Sequence, residues 1–314
     1  MKRFFAETIS GTPFMNIVVS GSTGLVGTAL IPVLTRAGHD VVRLVRSKSL
    51  SPSKELIGWD PEASYIDAAG LEGQAAVVHL AGEPIASGRW NALKKARIRD
   101  SRVNGTRLLC EALSHCARPP EVLACASAIG FYGDRGDERL TETSANGTGF
   151  LAEVCRDWEA ATAPARQKGI RVVNLRFGVI LSRQGGALAK MLTPFKMGLG
   201  GPVGSGRQYM SYISIDDCVA AIVHAMATRT LAGPVNVVAP VPVTNSEFTK
   251  TLGKVLGRPT VMPMPAFAAR LAFGEMADEL LLSSQRVEPA RLLEAGFKFA
   301  QADLQAALRH VLGK

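Results

Sequence analysis

Along the first half of the chain, short apolar runs alternate with longer stretches whose apolar residues recur every three or four positions. The runs Asn16–Ser20, Asp40–Arg46, Leu56–Trp59, Ala75–Leu80, Val122–Ala126 and Val172–Leu175 have the length and branched content of strands. The unbroken ones suit strands buried on both faces. Between them, Leu25, Leu30, Val33 and Leu34 trace one helix face, Leu93–Ser114 a second helix, and Phe150–Gln167 a third that Gly169 stops. Alternating strands and helices predict an α/β fold with a Rossmann-like, doubly wound parallel sheet.

After Phe177 the pattern loosens. Gly178–Gly206 is rich in glycine, with one amphipathic segment at Ala187–Met197. Helices are expected at Asp216–Ala227, Ser246–Leu256, Pro265–Met276 and Ala302–Leu312. A short strand at 235–238 is placed to return to the main sheet. The expected division is an N-terminal extension at 1–14, a dinucleotide-binding domain at 15–180, and a smaller, mixed substrate domain at 181–314.

One junction in this pattern carries chemistry. Gly21-Ser22-Thr23-Gly24-Leu25-Val26-Gly27 joins the first strand to the first helix. Gly21 can turn where φ is positive, Gly24 has no Cβ to hold a ligand off the backbone, and Gly27 lets the helix pack closely. The N–H groups of the helix's first turn then face an anion, and a pyrophosphate is the usual occupant. A plain strand-to-helix turn is the alternative. The clean strand before, the helix after and the second strand beyond Gly38 favour the nucleotide.

Charge and composition change this picture little. Lys and Arg exceed Asp and Glu by 36 to 27, a net charge of +9, without a dense basic block outside Lys94–Arg102. That suits an anionic dinucleotide or an ordinary solvated surface, and no nucleic-acid-binding motif accompanies it. No apolar run approaches the ~20 residues of a membrane helix. Met1–Phe14 lacks the apolar core of a signal peptide and reads as a dispensable extension. Five scattered cysteines without a Cys-x-x-Cys pair point to reduced thiols in a cytoplasmic protein, with no metal. The expected partner is a small molecule, not nucleic acid or membrane; the oligomeric state stays open, a homodimer included.

At the end of the second strand, Val45-Arg46 puts an arginine where enzymes that prefer NAD place an acid, so Arg46 suits the 2′-phosphate of NADP(H). Arg43 and Lys48 lie close in sequence, and a plain surface arginine is the alternative. Leu80-Ala81-Gly82, after the fourth run, offers small residues against which a cofactor can lie. His79 before them falls within an apolar strand and reads as structural. Arg102 can reach cofactor phosphates, or Arg89 and Arg102 can pair with Glu83 or Asp100.

Several segments together carry a family resemblance: the Gly-x-x-Gly-x-x-Gly loop with Thr23, Ala81-Gly82-Glu83, Arg89-Trp90, and Arg102-Val103-Asn104-Gly105-Thr106. Downstream follow Ser127–Gly133, Gly200–Gln208, Tyr212–Asp217 and Asn236–Pro240. From Asn16 onward the chain resembles the atypical extended short-chain dehydrogenases/reductases, in the epimerase-like subfamily with its own C-terminal domain of unknown function. The resemblance implies NADP(H) as cofactor, with Val179 added to its wall, and an epimerase-like oxidoreductase acting on an unidentified small molecule. A nucleotide sugar is one candidate substrate. It also implies substrate contacts at Glu83 and at Arg207, which is similar to a place where such enzymes hold a diphosphate.

One departure stands out. The wider family carries Tyr-x-x-x-Lys on the helix after the fifth strand, whereas Phe150–Glu159 contains neither residue. Ser127 is the candidate for the family's catalytic serine, a position that can equally fall on Ala128, and Tyr132, an aromatic often structural in the wider family, is the candidate to share the substrate's proton with it. The alternative is a non-catalytic NADP(H) sensor acting through a protein partner.

Overall fold

The computed structural model describes residues 14–47 and 55–314. The 1–13 part of the expected extension, and Lys48, lie outside them. In chain order the first half gives β1 (Asn16–Ser20), α1 (Leu25–Arg36), β2 (Asp40–Arg46), β3 (Leu56–Asp60), β4 (Tyr65–Ile66) and β5 (Ala76–His79). α2 (Ala92–His115), β6 (Val122–Ala128), β7 (Arg139–Leu140), α3 (Phe150–Ala160), α4 (Ala163–Gln167) and β8 (Arg171–Phe177) follow. Beyond them lie β9 (Val179–Leu181), α5 (Gly186–Lys196), β10 (Tyr209–Met210), β11 (Tyr212–Ser214), α6 (Ile215–Ala227), β12 (Gly233–Val237) and α7 (Asn245–Leu256).

Eight strands form the main sheet in the order β12-β8-β6-β5-β1-β2-β3-β4. All pairs are parallel except β3 with the edge strand β4. Alternation along each strand builds the two cores. Ile17 and Val19, Ala76 and Val78, and Ala124 face α1 and α6, while Val18, Val77 and Leu123 face α2 and α4. This is the doubly wound Rossmann arrangement. Strand order reverses between β1 and β5, so the crevice beyond Ser20 and His79 is where a ligand is expected.

The boundary expected near residue 180 is crossed twice. β12 pairs with β8 at the sheet edge, and α6 packs its apolar face on the same core as α1. A separate cluster around Leu188, Phe195, Tyr212, Phe248 and Leu308 forms the smaller lobe. The single helix expected at 150–167 is two, α3 and α4, with Ala161 and Thr162 between them and Pro164 in the first turn of the second. The 3.6-residue period runs through both, so apolar spacing alone does not reveal the break.

Candidate functional site

The glycine loop is built by close approaches. Gly21 has φ of +64°, and a Cβ on it would lie 2.7 Å from the Leu80 carbonyl carbon. A Cβ on Gly27 would sit 2.3 Å from the Gly21 oxygen, so α1 meets the loop only through a glycine. Gly24 differs: its nearest neighbour would be that same oxygen at 3.2 Å, and Thr23 and Gly24 are exposed. Gly24 caps α1 without a side-chain acceptor, and no acid stands in the helix's first turn. The N–H groups of Leu25, Val26 and Gly27 are thus left to an external anion. Ser22 is buried, and Leu25 and Val26 are half-buried. Gly185 and Gly186 bring a second helix start to the same place, since a Cβ on either would lie 3.3 Å from the Leu25 side chain. Sequence reasoning missed this pair. The signal was there, two glycines ahead of an amphipathic run.

A buried network fixes the tip of β5 beside this loop. Ser20 Oγ accepts from the N–H of Leu80 at 3.0 Å and of Ala81 at 3.3 Å. Its hydroxyl proton therefore goes to His79 Nδ1, 2.7 Å away. The ring proton is then on Nε2 and is donated to Thr106 Oγ1 at 3.0 Å, which also accepts from Trp158 Nε1 at 2.8 Å. Burial holds His79 neutral, with its pKa down to about 4. His79 is a structural residue that holds Leu80 and Ala81 in line.

Charged groups gather around Glu83. Lys94, itself buried, donates to the Glu83 carboxylate at 2.6 Å and holds its carboxyl below the ordinary carboxylate range. Arg102 donates to the carbonyls of Glu83 and Ile98, both at 3.0 Å, and lies over the Trp158 ring. Its guanidinium would stand 3.3 Å from a Cβ on Gly82, and burial lowers its pKa. The partner of the Glu83 carboxylate is thus Lys94, not Arg89 or Arg102, and Glu83 is fixed by that bond. Val45 is half-buried, and Arg46 is exposed at the tip of β2. Arg46 makes no hydrogen bond or ion pair with another described residue. Arg207 is exposed on its loop, and Val179 bonds through its N–H to the Ser211 carbonyl at 2.9 Å.

Ser127 and Tyr132, the candidates for proton transfer, are both buried and hydrogen-bonded within the fold. Tyr132 has no exposed surface; its hydroxyl donates to Asn236 Oδ1 at 2.7 Å and accepts from Arg176 at 3.0 Å. Burial pushes its pKa up. Ser127 is 2% exposed and donates to Glu159 at 2.7 Å. Arg176 grips both oxygens of that carboxylate, at 2.7 and 2.8 Å, and stacks 3.5 Å from the centre of the Phe131 ring. The two residues expected to handle the substrate's proton instead tie β6, β8, α3 and β12 together. On α3, the side chains turned to Gly130 are Leu151 and Cys155, four residues apart, and burial holds the Cys155 thiol at a pKa of about 12.

Residues 17–238 match the NAD dependent epimerase/dehydratase family, and residues 264–311 match a domain of unknown function, DUF1731. The chain belongs to the epimerase/dehydratase family. An epimerase family protein of Mycobacterium bovis is 46% identical over 292 residues, covering 93% of this chain and 96% of the relative. The crystal structure of the human epimerase family protein SDR39U1 with NADPH superposes with a TM-score of 0.87 at 35% identity, covering 96% of this chain and all of that one. A structure described as the nucleoside-diphosphate sugar epimerase of Corynebacterium glutamicum gives a TM-score of 0.81 at 40% identity; it covers 99% of this chain and 61% of that one.

In this epimerase-family chain the DUF1731 segment reaches back to the Rossmann domain. Glu279 accepts from the N–H of Phe150 at 3.0 Å and of Leu151 at 3.2 Å, so its carboxylate caps α3 from outside. Gly149, at φ +105°, makes room; a Cβ there would lie 2.7 Å from the Glu279 oxygen. Lys95 pairs with Glu275 at 2.7 Å and lies 4.6 Å from the centre of the Phe150 ring. A cavity of about 300 Å³ opens next to this cap, beside Thr148, Arg270 and Gln285. Among the described residues no helix is long and apolar enough to cross a membrane.

Proposed function

We propose that this chain binds NADP(H) in the crevice beyond β1 and β5 and acts as an epimerase-like oxidoreductase on a small molecule. The observation that carries the reading is the start of α1: a helix end with no side-chain cap, opened by an exposed glycine whose added Cβ would meet only the Gly21 oxygen, at 3.2 Å. The pyrophosphate would bind the N–H groups of Leu25, Val26 and Gly27, with Arg102 close by. Arg46, which pairs with no carboxylate among the described residues, would take the 2′-phosphate. Leu80, Ala81 and Gly82 would lie along the ribose. NADPH, when bound, supplies the hydride. That the similar human protein was crystallised with NADPH supports the choice of cofactor. The description of the Corynebacterium glutamicum relative supports a nucleotide sugar as the first substrate class to try, with Arg207 as a contact to its diphosphate. The free, buried state of all five cysteines agrees with a cytoplasmic location.

A second reading is favoured by one observation. Ser127 and Tyr132 are spent on Glu159, Arg176 and Asn236, and α3 has no Tyr-x-x-x-Lys pair. A protein with a cofactor site and no proton donor beside it would report the NADP(H) ratio to a protein partner. The two readings separate in one experiment. The protein is loaded with NADPH, and pools of nucleotide sugars and carbonyl compounds are added while the absorbance of the reduced nicotinamide is followed. Oxidation with one pool is the expected result. Stable NADPH against every pool, together with no reduction of the cofactor and no epimer formed when the NADP+-loaded protein meets the nucleotide sugars, would overturn the enzyme reading in favour of the sensor.

A further inference from the structure

Helix α2 holds the loop after β5 along one stripe. Lys94 bonds the Glu83 carboxylate at 2.6 Å, Ser101 Oγ accepts from the Glu83 N–H at 3.0 Å, and Arg102 donates to the Glu83 carbonyl at 3.0 Å. Arg97 stands three residues after Lys94 and four before Ser101, on the same side of the helix. Its side chain is exposed and makes no hydrogen bond or ion pair with another described residue, Asp100 on the next turn included. Arg97 and Arg46 both act electrostatically on Glu83, in addition to the bonded Lys94. One carboxylate therefore meets three cations, and Lys94 alone neutralises it. Among the described residues, neither Arg46 at the tip of β2 nor Arg97 on α2 is bonded to a carboxylate.

Two arginines without a bonded carboxylate among the described residues, one at the tip of β2 and one on the face of α2 that holds the loop after β5, suit a dianion with several acceptor oxygens. A phosphate monoester carries up to about two negative charges, and planar guanidinium forks match its oxygens. The pyrophosphate has its own partners at the start of α1. On the NADP(H) reading, the monoester that comes to the tip of β2 is the 2′-phosphate. We propose that Arg97 is a second specificity-determining arginine for that phosphate, closing from α2 while Arg46 meets it from β2.

The test is calorimetric titration of NADPH and of NADH into the full chain, as wild type and as Arg97→Gln, Arg97→Lys and Arg46→Gln. Arg97→Gln should weaken NADPH roughly tenfold, the loss of one charge-assisted contact, and leave NADH unchanged. Arg97→Lys should recover part of the loss, and Arg46→Gln should resemble Arg97→Gln. An Arg97→Gln protein with undiminished NADPH affinity would overturn the proposal. An equal loss for both cofactors would also overturn it, by moving Arg97 to the pyrophosphate. Failure of the underlying NADP(H) reading looks different: the wild type itself would show no preference between the two cofactors.

Discussion

Type and position leave Tyr132 two readings, a proton donor to substrate or a packing aromatic. It follows the fifth strand of the alternating pattern, where substrate is expected, and it carries a phenol. The structure buries it completely and satisfies its hydroxyl from both sides with Arg176 and Asn236. Which way the side chain turns was not legible, because its partners lie 44 and 104 residues away in sequence. Arg176 was the missing signal: an arginine next to an apolar run, 3% exposed, has to bring a carboxylate with it, and Glu159 is that carboxylate. Replacing Tyr132 by Phe should leave a buried guanidinium and a buried amide each short of one partner. The expected cost is about 1–3 kcal/mol of stability, read as a lower denaturant midpoint with NADPH affinity unchanged. A variant as stable as wild type but without turnover would return Tyr132 to catalysis.

Among the elements, the long parallel strands were legible because burial on both faces leaves apolar runs that no other element of that length produces. Short strands such as β4, β7 and β10, two residues each, were not, since their pairing is set by distant chain and not by local pattern. The tip of β5 joins both cases. His79 read correctly as structural from its apolar surroundings, but its part in holding Leu80 and Ala81 depends on Ser20 and Thr106. This network has a pH signature. The folded pKa of His79, about 4, lies below its ordinary value of 6.5. The unfolded chain therefore takes up the proton first, and stability is full above pH 6.5 and falls as pH drops towards 4. The loss attached to this one group is about 3 kcal/mol at most. Urea unfolding at neutral and mildly acid pH should show it, and His79→Gln should flatten that slope. An unchanged slope in the variant would mean that His79 can charge within the fold.

At the scale of the whole molecule, the Rossmann half and its glycine loop were readable because each glycine answers a local need. The return of β12 to the sheet edge was readable from its own short apolar run, but the rest of the smaller lobe was not, because its contributions arrive across the chain: Gly185 and Gly186 beside Leu25, and Glu279 on the start of α3. Gly185 and Gly186 bring the smaller lobe to the glycine loop at the crevice beyond β1 and β5, and the central claim is that NADP(H) occupies that crevice. Titrating NADPH and NADH into the wild type and into Gly24→Val tests that claim most directly. Arg46 and its charge-assisted contact predict that the wild type prefers NADPH by roughly tenfold to a hundredfold. A side chain on Gly24 would fill the pyrophosphate's place, so the folded variant should bind neither cofactor. Equal affinities in the wild type, or NADPH binding that survives in Gly24→Val, would contradict the account.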